Sequence, residues 1–266
     1  MKSILKWSVV AMLVLGDHAS VRAELETNSL PKVDDLLKRV LERAQEEVRN
    51  DREFKARYAF TRTKVREYRN SQGKLKSRQE KRIESNPPPQ VLPVAYEPSP
   101  ADANEDSITA GKELRQDPNG DVKGQPFKKS DFPVTDELLK RFRFELAGRE
   151  TIDGRAALVV DFKPASKNLP VRNFKDRFIN KAAGRVWVDE GDAALVKADV
   201  HLTESVSVVG GLVGAVHKCR YAFQRGRTPE GLWFTSQIDW RVEGRQVFTT
   251  KSIDGHERRT NVRNVW

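Results

Sequence analysis

A chain of 266 residues is long enough for one large domain with a core of its own. Its 48 Lys and Arg against 38 Asp and Glu give a formal net charge of +10, which points to anionic lipid head groups, acidic polysaccharide or an acidic protein as partners. The single cysteine, Cys219, excludes an intramolecular disulfide, so packing has to hold the fold.

Lys2 and Lys6 flank the start of an apolar stretch from Trp7 to Leu15, and Val21-Arg22-Ala23 offers small residues where a signal peptidase reads. Crossing a bilayer takes roughly 20 apolar residues. The sequence therefore predicts a signal peptide over 1–23, cut after Ala23, and a single exported domain over 24–266. The other reading is an uncleaved anchor, against which Asp17 and His18 speak by interrupting the apolar run. No cysteine follows the apolar core to take an acyl chain, so a soluble, unlipidated periplasmic protein is expected. Export argues against nucleic acid as a partner.

Val33, Leu36, Leu37, Val40, Leu41, Ala44 and Val48 recur at helical spacing, with Asp34 and Asp35 where the helix dipole favours negative charge. From Lys55 to Arg69 and from Lys74 to Ser85 the pattern is that of a β-hairpin turning at Asn70-Ser71-Gln72-Gly73. Its cations, among them Arg62, Lys64, Arg66, Arg78, Lys81 and Arg82, are read either as a solvated, charge-guarded edge or as a strip for a polyanion. Pro87-Pro88-Pro89 ends the hairpin and opens a long aperiodic loop over about 90–130. Thr135 then caps a short helix that begins at Asp136.

From Phe142 the period is two. Phe142, Phe144 and Leu146 turn at Asp153-Gly154 into Ala156, Leu158, Val160 and Phe162. A connector through Pro164 and Pro170 reaches Gly184 to Asp189, and Ala194 to Leu202 follow after a turn at Glu190-Gly191-Asp192. Further strands are expected at Cys219 to Phe223, Leu232 to Val242 and Gln246 to Ile253, in a meander. The apolar, glycine-rich run Val206 to Val216 fits either a mobile connection, with Val209, Leu212 and Val213 as a candidate lid, or a buried bulged strand pair.

Catalytic signatures are sparse. His201, His217 and His256 lack metal-ligand spacing, so no metal and no cofactor is expected. No Gly-x-Ser-x-Gly elbow is present. A His217 and Cys219 pair would share a strand face but lacks an orienting third group. Asp153, Asp161 and Asp189 near strand ends could form a hydrolase carboxylate pair, although turns favour Asp for local reasons. Arg149, Glu150, Asp153 and Arg155 read as a charged hairpin with cross-strand pairing.

Gly148-Arg149-Glu150-Thr151-Ile152-Asp153-Gly154-Arg155, then Gly184-Arg185-Val186-Trp187-Val188-Asp189, and later Gly231-Leu232-Trp233-Phe234, resemble the outer-membrane lipoprotein-sorting (LolA/LolB-like) superfamily across roughly 140–250. The resemblance implies an α+β fold: a large antiparallel sheet curved into an incomplete barrel, with helices over its concave face and an apolar cavity between. Phe144, Phe162, Trp187, Phe223 and Trp240 are the candidates to line such a cavity. The expected function is non-catalytic binding or carriage of lipid or lipoprotein acyl chains by a monomer, with a membrane surface as a further contact. The alternatives are an envelope interaction or regulatory module for a protein or acidic glycan, and a carboxylate-based hydrolase.

Overall fold

The computed structural model describes residues 30–87, 133–208, 214–246 and 249–266. The expected signal peptide, the loop at 90–130 and the candidate lid residues Val209, Leu212 and Val213 lie outside the described residues.

Two helices open the described chain, α1 (Val33–Gln45) and α2 (Glu47–Arg57). In α1, Asp34 and Asp35 sit in the first turn and Arg43 in the last, complementing the dipole, while Leu36 and Val40, four apart, are buried. The single helix expected through Val48 instead breaks at Glu46. α2 takes its own phase from Asn50 and Phe54, both buried, so Val48 points outward and is 70% exposed. The strand expected from Lys55 starts only at Tyr58, because the helical turn carrying Phe54 closes there with the Tyr58 N–H donating to the Phe54 carbonyl.

β1 (Tyr58–Arg69) and β2 (Leu75–Ser85) form the expected hairpin. Asn70 Oδ1 accepts from the N–H groups of Gln72 and Lys74, and Gly73 supplies the positive φ of +76° that the turn needs. Thr135 caps α3 (Asp136–Leu139) by accepting from the Leu138 N–H. β3 (Phe142–Ile152) and β4 (Arg155–Pro164) follow, joined at Asp153-Gly154.

The connector after β4 contains a helix that sequence periodicity did not show, α4 (Phe174–Ile179). Asn173 caps it by accepting from the Asp176 N–H, and Phe174 meets Phe178 edge-on at 5.2 Å. Six residues are too few for a period to stand out. β5 (Ala182–Asp189), β6 (Leu195–Leu202), β7 (Val206–Val208), β8 (Gly214–Arg227), β9 (Trp233–Gln246) and β10 (Thr249–Asn264) complete the chain. β7 pairs with the start of β8, so the described ends of the glycine-rich run are a strand pair, with Val206 buried.

All strands join one antiparallel sheet in the order β2-β1-β10-β9-β8-β6-β5-β4-β3, with β7 attached to β8. The sheet stays open: β2 and β3, consecutive in sequence, lie at opposite edges. The expected meander runs from β3 to β10, and the N-terminal hairpin joins it by pairing β1 with β10. β10 continues to Asn264, well past Ile253, because its second half sets charged residues on both faces and offers no apolar period.

Cross-strand partners share a face of a sheet. The register therefore carries one row across the inner face, from Phe144 through Phe162, Gly184, Val200 and Tyr221 to Trp240, and on through Gly255 and Arg66 to Gln79. The outer face carries ion pairs, including Asp161 with Arg185, Asp199 with Arg220 and Glu67 with Arg78. At one end of the outer face, Ala157, Val159, Trp187, Val196 and Trp233 make a second apolar cluster.

Gly255 is a packing requirement: a Cβ there would fall 2.1 Å from the Trp240 ring. Gly255→Ala is expected to cost about 1–3 kcal/mol by displacing that ring, read as a lower urea midpoint. In a Trp240→Leu background the same substitution should cost much less; an equal cost would show that the ring contact is not the cause.

Candidate functional site

The inner face of β3 to β8 does not pack flat against the helices. A cavity of about 270 Å³ lies between them. Its floor is the sheet, with Phe144, Phe162, Val186, Ala198, Val200 and Phe223; its roof is Leu36, Leu37 and Val40 of α1, Leu138 and Leu139 of α3, and Phe178 and Ile179 of α4. Phe142 and Phe162 meet edge-on at 5.2 Å, with Phe144 tilted 6.3 Å from Phe162, so one end of the floor is an aromatic corner.

Of the residues in the wall, His201, Cys219 and Tyr221 are those with polar side chains. Burial pushes the Cys219 thiol up to about 12, and burial together with the field of Glu257 pushes the Tyr221 phenol up to about 12. Both groups stay neutral at physiological pH.

Polar contacts hold the roof at its rim. Arg39 of α1 donates to the carbonyls of Glu190 and Gly191 in the β5–β6 turn, at 2.9 and 3.1 Å. Arg225 of β8 pairs with Glu47 of α2 at 2.9 Å. Asn50 acts like a neighbouring strand toward β9: its Nδ2 donates to the Trp233 carbonyl at 2.6 Å, and its Oδ1 accepts from the Trp233 N–H at 2.9 Å. Arg141, buried at the start of β3, reaches Asn180 Oδ1 at 2.8 Å and Asp176 at 3.2 Å, which fixes α4.

Of the five aromatic candidates, Phe144, Phe162 and Phe223 line the cavity. Trp187 does not, because Val186 and Val188 on either side of it face inward and alternation turns its indole to the outer face. There its Nε1 donates to Glu150 at 2.8 Å and the Lys197 ammonium stands 4.2 Å from the ring. Trp240 is on the inner face but beyond the cavity wall, laid over Gly255 with the Arg66 guanidinium 5.4 Å from its ring. The α1 contribution was foreshadowed by the stripe holding Leu36 and Val40. The α4 contribution was not.

The hydrolase carboxylates are elsewhere. Asp161 and Asp189 lie on the outer face, each gripped at both oxygens by an arginine, Arg185 at 2.7 and 2.9 Å and Arg155 at 2.6 and 2.7 Å. Asp153 sits in the β3–β4 turn with φ +48°. The hydrogen bond from Arg185 holds the Asp161 carboxyl below its ordinary value. For Asp189, burial alone would raise it, but Arg155 and the backbone N–H groups of Asp192 and Gly191 bring it below the ordinary value. The charged hairpin pairs with the next turn rather than within itself, as Arg149 reaches Glu190 and Arg155 reaches Asp189. His217 falls at a β-bulge and is exposed, with Nδ1 3.3 Å from Ser205 Oγ, while Cys219 is buried, so the two do not form a nucleophile–base pair. Among the described residues, no three His, Cys, Asp or Glu side chains gather as they would around a metal ion. No described helix is long and apolar enough to cross a membrane.

No family model and no curated protein matches the sequence. Solved structures do match. An outer membrane lipoprotein-sorting protein domain from Vibrio parahaemolyticus is 14% identical, covering 86% of this chain and 93% of that one with a TM-score of 0.29. A LolA superfamily protein from Nitrosomonas europaea is 10% identical, covering 84% and 92% with a TM-score of 0.28. The MucA/MucB complex from Pseudomonas aeruginosa gives 9% identity, 83% and 98% coverage and a TM-score of 0.21.

The Arg155–Asp189 pair makes a pH prediction. A carboxyl depressed on folding stabilises the protein above its unfolded value near pH 4, and that contribution is lost as the pH falls through the lower folded value. Urea midpoints should fall as the pH drops below about 4 in the parent, and less steeply in Asp189→Asn from a lower start. Parallel curves would remove this carboxylate from the account of acid stability.

Proposed function

We propose that this chain is a non-catalytic binding or carrier protein of the cell envelope that holds the acyl part of a lipid or lipoprotein in the cavity. The observation that carries this reading is the wall itself, lined on floor and roof by apolar side chains apart from His201, Cys219 and Tyr221, with charged contacts at the rim. Each methylene moved from water into such a site gains about 0.8 kcal/mol. A chain of eight therefore gains roughly 6 kcal/mol before the cost of association. The neutral Cys219 and Tyr221 add no nucleophile or ionised base to that interior. In this reading residues 24–266 are one exported, periplasmic domain acting as a monomer.

A second reading, binding of an acidic protein or glycan, is favoured by one observation. β2 is an edge strand whose residues Leu75 to Glu80 are exposed, leaving backbone groups and Lys76 open to an added partner.

Residues 24–266, expressed in a Gram-negative periplasm, purified without detergent and extracted with organic solvent, should yield a stoichiometric acyl species by mass spectrometry. Ala198→Leu, which adds carbon to the cavity floor, should reduce that yield several-fold while leaving the unfolding temperature equal or higher. A folded parent protein free of lipid would sink the carrier reading and leave the second one standing.

A further inference from the structure

The inner face changes character at β9. On β3 to β8 it is the apolar floor; on β10, β1 and β2 two of its rows run into charged residues. The row through Leu146, Val160, Val186, Ala198 and Phe223 passes Ile238 and then meets Glu257, Lys64 and Lys81. The row through Tyr221 and Trp240 meets Gly255 and Arg66. One row further, Arg259 stands opposite Arg62. Arg62, Lys64, Arg66, Lys81 and Arg259 thus share one face of these three strands with the acid Glu257.

These cations are not splayed into solvent. Arg66 is 3% exposed, and the Lys64 and Glu257 side chains are 11% and 12% exposed, with their charged ends 3.9 Å apart. Arg259 packs over Phe60 at 5.2 Å and meets Glu257 at 3.8 Å. Its buried Nε has no hydrogen-bond partner among the described residues. Burial, with Arg62 and Arg225 nearby, lowers the Arg259 pKa against the pull of Glu257 and of Asp51 from α2. Holding like charges together in a half-desolvated trough is unfavourable by itself, and an anion placed there relieves it. The cations lie close to the cavity: β8, which carries the lining residues Cys219, Tyr221 and Phe223, and β1, which carries Arg62, Lys64 and Arg66, are three strands apart, roughly 14 Å at the usual spacing.

We infer that the ligand is an amphiphile with an anionic head group, its chain in the cavity and its head group against Arg62, Lys64, Arg66 and Arg259. This rests on the carrier reading above and adds the charge of the ligand and the place where that charge sits. Trp240 and Ile238 on β9 form the boundary over which the chain gives way to the head group.

The test uses the full exported protein and displacement of the fluorescent apolar probe N-phenyl-naphthylamine. The competitors are lysophosphatidylglycerol, a monoacylglycerol of the same chain length, each below its micelle concentration, and glycerol phosphate alone. Lysophosphatidylglycerol should compete about tenfold better than the monoacylglycerol, and glycerol phosphate alone should not compete. Arg62→Gln combined with Lys64→Gln should erase that preference while leaving the monoacylglycerol unchanged. Arg78→Gln combined with Arg82→Gln, which removes equal charge from the outer face of the same hairpin, should keep it. Equal competition by the charged and uncharged lipids, equal loss in the two double variants, or displacement by glycerol phosphate alone would each overturn the inference while leaving the carrier reading in place. Failure of every lipid to displace the probe would overturn both. If the inner-face double variant fails to fold, Arg259→Gln alone should still reduce the preference, and an unchanged preference would count against the inference.

Discussion

Everything in this molecule depends on the antiparallel register being kept from strand to strand. With a side-chain period of two, each row crosses the sheet on one face, and a slip of one residue would exchange the apolar floor of the cavity for the ion pairs of the outer face. Here the register passes from β3 to β2 with local shifts, at Leu146, Trp187, Val216 and Gln224 among others, that are absorbed as bulges. The row from Phe144 to Arg66 runs between those shifts. Its continuity makes an inner surface that is greasy at one edge and cationic at the other.

The helices complete this surface without filling it. If α1 and α2 packed by apolar contact alone, they would settle into the trough and close it. Beside the buried Leu36, Val40 and Phe54, they are attached by polar contacts at the periphery: Arg39 to the β5–β6 turn, Glu47 to Arg225, Asn50 to the backbone at Trp233. Directional contacts at the rim set a distance that leaves the middle open. Leu36 and Val40 are consequently buried against Leu158, Val160 and Val188 at one side of the cavity and still help to roof it.

Much of the sheet was legible because its apolar half obeys alternation. Phe142 to Phe162 and Gly184 to Leu202 announce strands, and Asp153-Gly154 announces their turn. The charged half was not legible in the same way. Past Ile253 both faces of β10 are polar, so nothing in local hydrophobicity marks a strand that is held chiefly by pairing with β1, nearly two hundred residues earlier. The site was legible in part for the same reason. Aromatic residues stood out by type, but type does not give parity: Phe144 and Phe162 face in, Trp187 faces out, and only the inward positions of Val186 and Val188 reveal it. Trp240 has the inward parity yet lies outside the cavity, because Gly255 on the neighbouring strand allows its ring to lie flat.

Glycine also explains why there is a cavity at all. In the row from Phe162 to Tyr221, Gly184 is the place where no side chain rises from the floor. A Cβ there would fall 2.1 Å from the Asp199 carbonyl on β6, so the position must be glycine to let β5 and β6 approach. The backbone's requirement thus removes volume in the middle of the floor, between large aromatics on one side and Tyr221 on the other. Ala182 and Ala198 extend the shortage to the adjoining rows. A sheet that could tolerate leucine at position 184 would bury more carbon and be more stable, and the space under α1 would then be core.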